Sequence, residues 1–148
     1  MEKNNRKEKD VIIYTDGGSR GNPGPAAVGV YIPVLNKKYS EYFGAATNNI
    51  AEYRAIVFAF KKVKQIIGTK KAEQTNVEIR SDSQLIVNQL SGYFKLKEEE
   101  LFPFFIQIWN LKQDFLDVRF THIPREENRI ADALVNEALD EATARTLL

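Results

Sequence analysis

At Asn49 the apolar residues of this chain change their period, and that switch constrains the fold more than any other single feature. Upstream, VIIYTDG reads as a buried strand, and AAVGVYIPV and KKYSEYFGAA read as two more, joined by a turn around residues 35–37 into an antiparallel meander. Pro33, placed inside the second strand, is expected where no ladder donor is needed. Downstream, Ile50, Tyr53, Ile56, Val57, Phe60, Val63 and Ile67 recur at helical spacing until Gly68. After a polar connection, NVEIRS is a short strand, Asp82-Ser83 caps a helix to about Leu90, and Ser91-Gly92 breaks it. A longer helix is predicted over roughly 98–115, with Pro103 near its first turn and Trp109 on its core stripe. DVRFTHI is the last strand, PREEN a loop, and a closing helix covers about 129–143. The order βββαβα(α)βα argues an α/β layer fold with a mixed sheet.

With 148 residues and 43% hydrophobic content, the chain is expected to form one domain over 11–145 behind a flexible tail over 1–10. It has no cysteine and a single histidine, His122, which excludes thiolate and multi-histidine metal sites and leaves oxygen ligands. MEKNNRKEKD has no apolar core, and no apolar run approaches the roughly 18 residues of a membrane span. The expectation is a soluble, cytoplasmic monomer that does not engage a membrane. A net charge of +1 shows no diffuse basic surface.

Four acids stand where strands end or helices begin: Asp16 in YTDGGSRGNPGPAA, Glu52 in TNNIAEYRA, Asp82 in IRSDSQ and Asp132 in PREENRIADAL. Hard cations are held by such oxygens together with water and substrate phosphates. Each position also has an ordinary local explanation. Asp16 precedes a turn glycine, Glu52 lies three residues after Asn49 in near capping-box spacing, Asp82 or Ser83 serves as an N-cap, and Asp132 favours a helix dipole.

The four contexts, in this order and with these flanks, resemble the type 1 ribonuclease H family from about Val11 to about Leu139. The resemblance implies a five-stranded mixed sheet, three antiparallel strands then two parallel, flanked by helices. It also implies an endoribonuclease that cuts the RNA strand of RNA/DNA hybrids with two Mg²⁺ or Mn²⁺ ions about 3.5 to 4 Å apart, leaving 5′-phosphate and 3′-hydroxyl ends. Asp16, Glu52, Asp82 and Asp132 would be the metal ligands, with Asp16 bridging. A nuclease of the same fold acting on double-stranded RNA, or a non-catalytic nucleic-acid-binding module, are the alternatives.

By the same resemblance, backbone groups near Gly18 and Ser19 and the side chain of Asn22 would meet 2′-hydroxyls or bases of the RNA strand. Thr47 would face a DNA-strand phosphate, Asn48 and Asn49 base edges or sugars, and Gln84 the minor groove. Lys95 and Lys97 belong to a connection that the resemblance sets beside the nucleic-acid groove. The chain departs from the best-known branch twice. PREEN replaces a glycine-rich loop bearing a histidine, making Arg125 the candidate to assist turnover, ahead of His122. GYFKLK leads almost directly into the next helix, so the basic protrusion is missing.

Overall fold

A computed structural model describes residues 10–147; the expected tail, apart from Asp10, lies outside the described residues. The strands are β1 (Val11–Ser19), β2 (Gly24–Ile32), β3 (Lys37–Ala46), β4 (Asn76–Ser81) and β5 (Asp117–His122). The α-helices are α1 (Asn48–Ile67), α2 (Thr69–Ala72), α3 (Gln84–Leu90), α4 (Phe102–Lys112) and α5 (Arg129–Leu147). The sheet order is β3-β2-β1-β4-β5, antiparallel across β3, β2 and β1 and parallel across β1, β4 and β5. This is the mixed sheet the resemblance implied.

One sheet face is sealed by the stripe of α1. Tyr53, Ile56, Phe60 and Val63 are buried against Ile13, Val30, Ile32, Val77 and Ile79, with Ile108 of α4 and Phe115 closing the same core. Truncating a residue as buried as Phe60 to alanine typically costs about 3–5 kcal/mol, so this face supplies much of the fold's stability. The opposite face packs Val135, Ala138 and Leu139 of α5 on Ala27 of β2.

Several local expectations give way to better physics. Pro33 lies outside β2 and opens a 3₁₀ turn, Pro33–Leu35, where its missing N–H has no partner to lose. Thr47, not Asn49, caps α1, its Oγ1 accepting from the Ile50 amide at 3.2 Å. Ser83 caps α3, accepting from the Ile86 amide at 3.4 Å. The predicted helix over 98–115 divides into a 3₁₀ turn, Glu99–Leu101, and α4, with Pro103 in the first turn of α4. The polar connection after Gly68 holds the short helix α2. Trp109 is 56% exposed, contrary to its assignment to the core, because the apolar stripe of α4 is wider than the surface covering it.

Candidate active site

Register brings the first two acids together. β1 and β4 are parallel neighbours with Tyr14 opposite Arg80, so two residues further along both chains Asp16 stands level with Asp82. Their carboxyl ends open on the crevice where α/β folds place their sites. Because Ser83 does the capping, the Asp82 side chain is not needed for it.

Two glycines bring in the other acids. A Cβ on Gly17 would stand 2.2 Å from the carbonyl carbon and oxygen of Ala51 and 2.5 Å from the Glu52 nitrogen, so only glycine lets the first turn of α1 rest on β1. Glu52 therefore lands beside Asp16. Gly29 pairs with Asp16 across β1 and β2, and a Cβ there would stand 2.2 Å from the Ala131 carbonyl oxygen. That approach seats the start of α5, with Ala131 buried and Ala133 exposed rather than packed as expected, and places Asp132 on the far side of Asp16. Buried Asn128 fixes the same corner: its Nδ2 donates to the Thr15 carbonyl at 2.9 Å, and its own carbonyl accepts from the Asp132 amide at 3.1 Å.

Carboxylate oxygens of Asp16, Glu52 and Asp82 lie within 4.8 Å of one another, the one such group of possible metal ligands among the described residues. Asp132 falls outside that trio, yet its charge acts on Asp16. Asp16 is 7% exposed, and burial, then the charges of Asp82 and Asp132, push its pKa from 3.8 up to about 7. Glu52 is half-buried as a residue, but its Oε2 is shielded from solvent and has no hydrogen-bond partner. Burial, then the charges of Asp16 and Asp82, raise its pKa well above the usual carboxylate range. Acids crowded at this cost are poised for a cation to neutralise them.

Among the expected substrate contacts, several polar groups bond to each other. Asn48 Oδ1 accepts from the Ser19 amide at 2.9 Å and the Ser19 hydroxyl at 3.1 Å, while the Asn48 amide donates to Asn22 Oδ1 at 3.0 Å. Asn49 Nδ2 donates to both oxygens of Glu98, at 3.2 and 3.4 Å. The glycine loop is thereby stapled to the start of α1, leaving Gly18 next to Asp16 on β1. Thr47 is occupied as the cap, and Gln84, Lys95 and Lys97 are exposed. Arg125 heads an exposed 3₁₀ turn, Arg125–Glu127, and His122 ends β5, exposed, in register with Ser81. Sequence reading missed Gly29 and Glu98; a glycine inside the buried run AAVGVYI was the available signal for the first.

A carboxylate cluster on the central strand, where the antiparallel and parallel halves of a five-stranded mixed sheet meet, places the chain among α/β proteins that gather acids around such a strand. Comparison with known proteins narrows the class. The sequence family described as reverse transcriptase-like matches residues 15–138. Ribonuclease HI of Halobacterium salinarum is 39% identical over 136 residues, spanning 89% of this chain and 65% of that protein. A bifunctional protein of Mycobacterium tuberculosis is 35% identical over 137 residues, 89% of this chain but 36% of its own length. The structure of LC11-RNase H1 in complex with an RNA/DNA hybrid superposes with a TM-score of 0.83 at 46% identity, covering 90% of this chain and 99% of that one. The chain belongs to the ribonuclease H family.

Proposed function

We propose that the chain is an endonuclease that hydrolyses the RNA strand of RNA/DNA hybrids, leaving 5′-phosphate and 3′-hydroxyl ends. The convergence of Asp16, Glu52 and Asp82 within 4.8 Å carries this reading, in a fold whose relative LC11-RNase H1 was solved on such a hybrid.

The donor set suits Mg²⁺ or Mn²⁺: all oxygen, closely grouped, and including a buried Glu52 Oε2 without a hydrogen-bond partner. Asp16 would be shared between two ions, Glu52 and Asp82 completing one set of ligands and Asp132 the other. When bound, such ions lower the pKa of water and neutralise charge on the phosphate and leaving oxygen. The chain's own residues supply the rest. The four carboxylates fix where the scissile phosphate sits, and the stapled loop from Gly18 to Asn22 offers backbone groups to 2′-hydroxyls, the feature that distinguishes RNA from DNA. Arg125, on its exposed turn before Asp132, acts near the phosphate or during product release.

A labelled hybrid incubated beside matched RNA and DNA duplexes, with Mg²⁺ or with EDTA, tests the reading. Metal-dependent cleavage of the hybrid's RNA strand is expected. Cleavage of the RNA duplex in preference to the hybrid, or cutting that survives EDTA, would overturn it.

A further inference from the structure

Helix α4 turns an apolar side to solvent. From Leu101 to Leu111 the chain carries no charged residue. Ile108 and the half-buried Phe104, Phe105 and Leu111 pack inward on the core, while Phe102, Ile106 and Trp109 are 40%, 58% and 56% exposed. Spacings of four and three residues put these three on one side of the helix, where a surface helix ordinarily carries charge. Asn110 and Gln113, which border them, are exposed but uncharged, and Gln113 Nε2 donates to the Trp109 carbonyl at 3.3 Å. Beside Trp109 a groove of about 180 Å³ runs to the turn at Ser91 and Gly92. An exposed apolar patch with its own groove marks a contact surface.

Charge decides what covers it. A polynucleotide needs cations along its path, and the middle of this face has none. The charges lie at its two ends and have opposite sign. Exposed Glu99 and Glu100 precede the helix, and Lys112, in its last turn, has its ammonium 5.3 Å from the centre of the Trp109 ring. A face that is acidic at its start, apolar in its middle and basic at its end complements itself when a second copy is turned end for end. Ile106 lies six residues from Glu100 and six from Lys112, so a two-fold axis beside Ile106 sets each Glu100 level with the partner's Lys112. The same axis brings Trp109 level with the partner's Pro103, inside the uncharged stretch.

We propose that a second copy of this chain covers the face, α4 packing antiparallel on α4 about a two-fold axis, so that the protein is a symmetric dimer in place of the expected monomer. Trp109 is the anchor, because a large ring withdrawn from water contributes more to such an interface than any other side chain on this face. The contact is one helix face in extent, so association is reversible and micromolar rather than obligate. None of these residues belongs to the carboxylate site, and the proposal stands apart from the hydrolysis reading.

The experiment pairs sedimentation equilibrium with fluorescence, since Trp109 is the single tryptophan of the chain. As concentration rises through the micromolar range to about 100 µM, the mass should climb to twice that of one chain. The Trp109 emission should move to shorter wavelength in parallel, as the ring leaves water. Ile106→Lys should weaken association about a hundredfold or more, with the Tm of the dilute protein unchanged because the side chain is exposed. Glu100→Lys, which sets like charges together twice across the axis, should weaken it several-fold, and adding Lys112→Glu to the same chain should restore it. A wild type that stays monomeric throughout, or a dimer that Ile106→Lys leaves intact, would overturn the proposal. So would a double charge variant that associates no better than Glu100→Lys. A monomer whose emission shifts only on phosphatidylcholine vesicles would assign the face to a lipid surface instead.

Discussion

The carboxylate centre and the connection from Gly92 to Glu98 are both anchored on the first turn of α1, by opposite means. The centre is set by close backbone approach: Gly17 and Gly29 leave no room for a Cβ, and Asp16 is almost completely buried. The connection is held by a few hydrogen bonds, with its side chains in solvent. On the proposed function, catalytic geometry would depend on packing that tolerates no added atom, and strand affinity would be spread over exposed groups that tolerate substitution. Mutations should separate the two.

The largest effect is expected from Gly17→Ala. A methyl 2.2 Å from the Ala51 backbone forces α1 off β1, lowering stability by about 3 kcal/mol or more and displacing Glu52 from the trio. Denaturant unfolding with a cleavage assay checks this. A Gly17→Ala protein of wild-type stability would show that the approach is not tight.

Next comes pH dependence in the absence of metal. A carboxyl whose folded pKa is raised keeps its proton in the folded state after the unfolded chain has lost it. Stability should therefore fall as pH rises from about 4 to about 7 and level off on either side. For Asp16 the span from 3.8 to about 7 corresponds to at most about 4 kcal/mol. Urea titrations in EDTA should show Asp16→Asn gaining on wild type across that window. A difference that stays constant, or runs the other way, would mean that the acids are not crowded in solution.

Arg125→Ala should lower kcat on the order of tenfold while sparing hybrid affinity, as expected for a group acting near the phosphate or in product release. Steady-state kinetics beside His122→Ala checks the choice between them. A damaged His122 variant with a normal Arg125 variant would reverse it. Smaller still, Lys95→Ala plus Lys97→Ala should raise KM several-fold and reduce its dependence on salt, because fewer counterions are released on binding. An unaltered salt slope would remove that connection from substrate binding.

Much of this was legible in the sequence because local chemistry and global fold agree. The period switch at Asn49 and the strand NVEIRS correspond closely to α1 and β4. The contexts of the four acids pointed to one site, although each alone fitted a cap, a turn or a dipole. What local reading lacks is register: Tyr14 opposite Arg80 is a long-range fact, and so is the contact of Gly29 with α5. Trp109 was misread for a related reason, since periodicity reports an apolar stripe but not how wide a partner covers it. Asn22 and Asn48, expected to contact ligand, also bond to each other across the loop, which no single segment reveals.

The central claim is that the acids around Asp16 repel one another without metal and work together with it. Asp132→Asn addresses this most directly, because it keeps size and most hydrogen bonding while removing one negative charge beside Asp16. Thermal unfolding in EDTA and hybrid cleavage in Mg²⁺ are measured on this one variant. The account predicts cleavage reduced by several orders of magnitude with Tm unchanged or raised. An ordinary helix-start aspartate would instead lose about 0.3 to 1 kcal/mol and leave activity intact, and that result would contradict the account.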